Sequence, residues 1–304
     1  MNDYSIFGWR IRSELPIPDL LPWLGDGRDA DVTIEVGPVP PVTPDLTSFS
    51  PAVQIGPSGV RVSIPAVADY WVEAGQRIIV DPSLPLDAPD IRVFLLGTVF
   101  AALCFQRGVL PLHASAIDIG GQALLISGIS GAGKSTLAAA FSARGYRLLS
   151  DDLCALTVNE PQGVLVYPAF PRVKLWKDTA SQLQIPTNGL ERSRMELEKV
   201  HLPIPAPLFQ TAPLPPAQIV LLRTELSPDQ RETRVLRGLA ALRRFDIIHR
   251  WRLGLAMGQQ ALILQGLARL VERAPVAEVA RSDNFADLPA LVDTILALVE
   301  RPAA

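Results

Sequence analysis

The chain has 304 residues, enough for one large domain and a smaller one, and 48% hydrophobic against 19% charged residues exclude a disordered protein. A formal net charge of −3 excludes a global attraction to nucleic acid or to an anionic membrane, so neither is an expected partner. Only two cysteines occur, Cys104 and Cys154, both in apolar surroundings, which excludes a disulfide scaffold and points to a reducing cytoplasm. The N-terminus, Asn2-Asp3-Tyr4, has neither a basic segment nor an apolar signal core, in keeping with that location.

Taken from the N-terminus, the first 90 residues read as short strands separated by proline and glycine. Val32-Thr33-Ile34-Glu35-Val36, Val60-Arg61-Val62-Ser63-Ile64 and Arg77-Ile78-Ile79-Val80 alternate as strands do. Seven prolines between Pro38 and Pro65 argue for turns and against long helices. A β-rich accessory domain is therefore expected over residues 1–90, with the main domain over 91–304. Val93 to Gln106 reads as a buried helix leading into that domain. Its apolar run, Val93 to Phe105, is too short to span a bilayer.

Residues 124–152, LLISGISGAGKSTLAAAFSARGYRLLSDD, carry most of the functional information. Gly128, Gly133, Lys134 and Ser135 fill the pattern G-x-x-x-x-G-K-[ST], after the apolar run Ala123-Leu124-Leu125-Ile126 and before an Ala/Leu-rich helical segment. Strand, loop and helix in that order are the context a phosphate-binding loop (P-loop) requires. Gly131 and Gly133 let the backbone fold tightly, so that N–H groups and the helix N-terminus point at anionic oxygens. The nucleotide cradle thus comprises Gly128, Ser130, Gly131, Ala132, Gly133, Lys134, Ser135 and Thr136. Lys134 reaches the terminal phosphates of ATP, and the Ser135 hydroxyl is a ligand for Mg²⁺.

The next apolar run, Tyr146-Arg147-Leu148-Leu149-Ser150, reads as a strand that ends in Asp151-Asp152. An acidic residue at such a strand end helps hold the Mg²⁺ of a P-loop site. Two adjacent carboxylates permit a division of labour, one serving the metal and the other taking a proton from the acceptor. Neighbours on a regular strand point to opposite faces, so both serve one site only if the strand is ending. A solvated Asp-Asp turn is the plainer alternative; the position one helix after the loop favours catalysis.

Further on, Gly163 to Tyr167 reads as a strand, followed by Arg172 and Lys174. A cation there neutralises charge developing on a transferred phosphoryl group, or else belongs to an exposed basic turn. Residues 203–216 hold six prolines and read as a covering loop rather than a mobile flap. Ile219 to Leu222 is a buried strand. From Arg231 the remainder reads as helical, ending in Leu288 to Val299 with Pro289 in its first turn. Arg231, Arg234, Arg237, Arg243, Arg244, Arg250 and Arg252 face only Glu232 and Asp246, a local charge of about +5. That cluster either docks an acidic group or is a solvated helix face over packed leucines, and the second is the plainer reading. His201 and His249 lack ligand-spaced companions and read as structural.

These residues together resemble a known family. Leu112 to Leu156 is similar to the kinase domain of the HPr kinase/phosphorylase family, on His113-Ala114-Ser115, Gly120-Gly121, the loop at 128–135, Arg144-Gly145-Tyr146 and Asp151-Asp152 in that order. The resemblance implies an α/β fold with a P-loop core like that of HPr kinase and phosphoenolpyruvate carboxykinase, preceded by the β-rich accessory domain. It implies Asp151 as general base toward a serine hydroxyl, Asp152 near the metal with Ser135, and His113 lining the transfer site. It also turns the reading of Arg172 and Lys174 toward catalysis, without choosing between them. The family commonly carries Asp where this chain has Ile129, and its Arg/Gly-rich signature has no counterpart here, so phosphorolysis and recognition of HPr are not implied. Tyr4-Ser5-Ile6-Phe7-Gly8, Ser13-Glu14-Leu15-Pro16-Ile17-Pro18 and Arg172-x-Lys174-Leu175-Trp176 look like HPr-kinase-related proteins of peptide-modification clusters, some of which phosphorylate a serine of a lasso-peptide precursor.

The expected function is an ATP-dependent serine kinase that acts on a peptide or small protein, with ATP and Mg²⁺ as cofactors. A nucleotide-responsive binding module with little turnover and a small-molecule kinase of the same superfamily are the alternatives. The sequence leaves the acceptor, reversibility and oligomeric state open, a homo-oligomer included.

Overall fold

Runs of β-branched and aromatic residues, broken by proline and glycine every few positions, pair as sheet because no run is long enough for a stable helix. In the computed structural model, which describes residues 1–159, 163–194, 197–224, 232–247 and 250–300, eight such runs form one sheet. Across it the strands are Asn2–Ile6, Trp9–Ser13, Val32–Val36, Arg77–Pro82, Ala68–Glu73, Gly59–Ile64, Val53–Gly56 and Thr47–Ser50. Val32–Val36 runs parallel to both neighbours, and every other pair is antiparallel. Thr47–Ser50 is therefore an edge.

The predicted helix packs under this sheet and is longer than its apolar run. It covers Pro89–Gln106, with a π-helical turn at Leu95–Val99 between α-helical segments Pro89–Phe94 and Phe100–Gln106. At 18 residues it is long and apolar enough, by length and composition alone, to cross a membrane, which corrects the expectation drawn from Val93 to Phe105. It is a core helix here, 72% buried, and the Tyr70 hydroxyl donates to the Ile91 carbonyl oxygen at 2.9 Å.

A second, six-stranded sheet runs Arg147–Ser150, Ala114–Ile119, Gln122–Gly128, Pro216–Thr224, Val276–Arg281 and Arg234–Leu236. Its three middle strands from Gln122 onward are parallel. Both faces are covered, so successive residues enter different cores. Leu124, Ile126, Val220 and Leu222 face helices Lys134–Ala143 and Leu288–Glu300, while Leu125, Ile219 and Leu221 face helix Gln260–Arg273. That second core is continuous with the N-terminal sheet, from Ile11 and Val62 through Phe100 and Phe105 to Leu267. Val276–Arg281 and Arg234–Leu236 correct the expectation that everything beyond Arg231 is helical. A six-residue run with one acidic residue has no period long enough to separate strand from helix.

Two small sheets complete the frame. One holds Leu110–Leu112, Cys154–Asn159 and Gly163–Tyr167; the other holds Arg172–Trp176, Leu197–Pro203 and Arg192–Arg194. The proline-rich segment covers the first core layer as a tethered loop. Gln210 N–H donates to the Leu148 carbonyl oxygen at 2.8 Å, and Val166 and Leu214 exchange backbone bonds. Of the arginine cluster, Arg234, Arg237, Arg243 and Arg252 are exposed, whereas Arg244 pairs with Glu278. Arg231, His249 and the Arg250 side chain lie outside the described residues.

Candidate active site

The strand Gln122–Gly128 hands over to a glycine-rich loop and then to helix Lys134–Ala143, where the sequence placed them. Gly128 is required by a close approach, since a Cβ there would stand 2.8 Å from the Leu222 carbonyl oxygen of the neighbouring strand. Gly133 caps the helix with φ +99°, a left-handed conformation that other residues adopt at a cost. Its bare Cα also leaves room for Arg281, whose Cδ would lie 3.0 Å from a Cβ. Lys134 is 7% exposed, and its ammonium donates to the carbonyl oxygens of Gly128 and Ile129, each at 3.0 Å. Burial pulls its pKa below the ordinary lysine value, against the opposing pull of Asp151 and Asp152.

Strand Arg147–Ser150 ends just before the acidic pair, and Asp152 takes φ +80°. This left-handed kink aims two successive carboxylates into one cleft, which a continuing strand would forbid. Their surroundings differ sharply. Asp151 is 5% exposed and receives three donors: the Ser115 hydroxyl at 2.6 Å, the Ser135 hydroxyl at 2.9 Å and the Lys174 N–H at 3.0 Å. Asp152 stands further out, its carboxylate 2.7 Å from the Lys174 ammonium and 3.0 Å from His113 Nδ1. The geometry thus pairs Asp151 with the loop serine and gives Asp152 the open side of the cleft.

The cleft, of about 350 Å³, is lined by His113, Ser130, Gly131, Gly133, Lys134, Ser135, Thr136, Asp151, Asp152 and Lys174 among the predicted residues. Gly128 and Ala132 are buried beneath the loop and support it. Arg172 does not reach the cleft lining. On strand Arg172–Trp176 it is buried at the far end from Trp176, its guanidinium paired with Asp19 and stacked 5.6 Å from the Phe170 ring. Of the two cations read as alternatives, Lys174 is the one at the cleft.

Three cations at the cleft carry no local signature, and one of them, Arg194, lies 4.7 Å over the Phe94 ring. Lys199 lies 4.5 Å over the Trp176 ring, brought there because Trp176 and Lys199 are register partners on antiparallel strands. Arg281 ends the third parallel strand; its guanidinium pairs with Asp283 at 3.2 Å, and among the described residues its buried Nε has no hydrogen-bond partner. Ligands bind at the carboxyl ends of such strands, so recognising Val276–Arg281 as a strand would have exposed Arg281.

Arg172, Asp19, Arg92 and His201 form a separate buried group, joined at its surface by the exposed Glu191. His201, its Nδ1 3.1 Å away, and then Arg92 hold the Glu191 pKa down to about 2. A carboxylate depressed in the folded state stabilises it above its ordinary pKa, and that contribution is lost as pH falls. Denaturation midpoints of the wild type are therefore expected to drop between about pH 4.5 and pH 2, more steeply than those of Glu191→Gln. Burial also lowers the His201 pKa, so protonating it near and below its ordinary value adds to the same loss. Parallel curves for wild type and variant would contradict this assignment.

Comparison with known proteins adds little to this geometry. No family model matches the chain, and no curated protein matches it in sequence. Among solved structures it is similar to the HPr(Ser) kinase/phosphatase from Coxiella burnetii, with 16% identity over 62% of this chain and 93% of that one, at a TM-score of 0.32. A likeness at that score decides neither fold nor activity; the cleft residues have to carry the functional reading.

Proposed function

We propose that the protein is an ATP-dependent kinase that phosphorylates the hydroxyl of a serine in a peptide or small protein. One observation carries this reading. The loop serine, Ser135, is bonded to Asp151 while the adjacent Asp152 faces the cleft between His113 and Lys174. A metal-side carboxylate and an acceptor-side carboxylate, side by side after a glycine-rich loop, are the parts phosphoryl transfer needs.

We assign the two carboxylates the reverse of the roles expected from the sequence. Asp151 is nearly buried and taken up by three donors, whereas Asp152 stands further out at the cleft, and a base must lie within hydrogen-bond reach of the proton it takes. Ser135 and Asp151 are the residues that would hold Mg²⁺, which when bound neutralises phosphate charge. One or two protein ligands suffice for this ion, because it keeps several waters. Lys134, Lys174, Arg194, Lys199 and Arg281 line the cleft where phosphates would lie. Arg281, with its unpartnered Nε beside Gly133, suits an anionic oxygen there.

In this scheme Asp152 accepts the proton of the acceptor hydroxyl. The oxygen then bonds to the γ-phosphorus of ATP as the bond to the departing ADP breaks. The Lys174 ammonium and the His113 ring hold the Asp152 carboxylate in place, a supporting role for His113. Lys134→Ala tests the nucleotide half. Calorimetric titration is expected to show ATP–Mg²⁺ binding weakened by about 10- to 100-fold, since a hydrogen bond to a charged group is worth about 1.5–3 kcal/mol. Unchanged affinity would remove the loop from nucleotide binding.

A further inference from the structure

A second cavity, of about 400 Å³, adjoins the cleft on the side of the N-terminal sheet. His113, Ser130 and Asp152 line both spaces, so the proposed base stands on their common wall. The other walls come from distant parts of the chain. The sheet supplies Phe49, Val53, Val62 and Ile64, the long core helix supplies Phe94, and helix Arg250–Ala256 supplies Leu253. Beyond the shared wall, the polar side chains on its lining are Ser50 and Thr98, the latter from the π-helical turn. Among the described residues, no lysine, arginine or amide side chain lines it.

We infer that this cavity is the acceptor subsite and that it takes a serine flanked by apolar side chains in an extended peptide, so that the N-terminal sheet selects the substrate. The inference rests on the kinase reading above and adds the acceptor's chemistry. Whatever fills the cavity meets Asp152 at one end, which places its hydroxyl at the base. An anionic metabolite needs a cation, and no lysine or arginine lines the walls among the described residues; a polyol needs a partner for each hydroxyl, and beyond the shared wall only Ser50 and Thr98 offer one. A serine side chain alone leaves most of such a volume empty, whereas its apolar neighbours fill it.

Two features of the walls agree with a peptide. Thr47–Ser50 is the sheet edge and contributes both Phe49, 38% exposed, and Ser50 to the cavity. An edge strand offers backbone donors and acceptors to an extended chain. The π-helical turn at Leu95–Val99 is the kind of local departure from α-helix that accompanies functional sites, and it turns Thr98 to the cavity.

The test uses the full chain with ATP–Mg²⁺ and three hexapeptides, whose single serine is flanked by Leu and Phe, by Asp, or by Gly, with glycerol as a polyol probe. Added phosphate is read by mass spectrometry. The expected result is a kcat/KM for the Leu/Phe peptide at least about tenfold above every other probe. Phe49→Ser, at a partly exposed position, is expected to raise KM for that peptide about tenfold with kcat little moved, and Phe49→Leu to restore most of the loss. Preference for glycerol overturns the subsite and the peptide acceptor together; equal use of the three peptides, or preference for the Asp-flanked peptide, overturns the subsite and leaves the kinase reading standing. So does a Phe49→Ser variant that lowers kcat at constant KM, or the absence of phosphate on every probe while ATP–Mg²⁺ still binds. Loss of ATP–Mg²⁺ binding by the wild type in calorimetry overturns the kinase reading, and this inference with it.

Discussion

Phosphoryl transfer by the Asp152→Asn variant is expected to fall by about 10²–10⁴-fold while ATP–Mg²⁺ binding is retained. The amide is nearly isosteric and its oxygen still accepts from the Lys174 ammonium, but it cannot take a proton. Asparagine also tolerates the left-handed backbone found at this position, so the kink that aims the side chain survives. Asp151→Asn is expected to act differently. It places an NH₂ group against the Ser115 and Ser135 donors and removes the charge proposed to hold the metal, so the Mg²⁺ requirement rises. Titration of each variant with ATP at several Mg²⁺ concentrations, followed by single-turnover transfer, separates the two effects. If Asp152→Asn loses metal dependence and Asp151→Asn loses only transfer, the roles are those the family resemblance implied.

Arg172→Ala is expected to cost about 3–5 kcal/mol of stability, the usual result of removing one partner from a buried ion pair. Arg172 and Asp19 each keep less than a tenth of their side-chain surface exposed, so little solvent reaches the carboxylate left behind. Arg92, 3.3 Å from the same carboxylate, compensates in part. Denaturant midpoints for Arg172→Ala, Asp19→Asn and the double variant give the coupling directly. A loss below about 1 kcal/mol would mean that solvent screens the pair as it does at a surface. The same variant tests the sequence-based role. At a temperature where it remains folded, kcat stays within a few-fold of wild type if Arg172 is structural. A collapse of kcat in a folded variant would return Arg172 to the phosphoryl group.

Residues close together in sequence made part of this site legible. The loop from Gly128 to Thr136 could be read because strand, turn and helix follow one another without interruption, and Gly131 and Gly133 answer a local demand for positive φ. The Asp151-Asp152 strand end was legible for the same reason, lying one helix and one short strand further on, whereas His113 was legible only through the family resemblance. What the two carboxylates face was not. Ser115 reaches Asp151 from a neighbouring strand and the Lys174 N–H from another sheet, so Asp151 is enclosed by contacts that no spacing encodes. Arg172 and Lys174 are equivalent by type and position, and only Asp19, 153 residues away, draws one of them off. Lys199 joins the cleft through strand register, and Arg281 through a strand whose six residues read equally well as helix. The sequence by itself determined the strand, glycine-rich loop and helix and the acidic pair that follows them, because backbone conformation is set by neighbours along the chain. Tertiary structure decided which carboxylate is buried, which cations surround it and which apolar walls adjoin it, because burial and pairing depend on segments that meet only on folding.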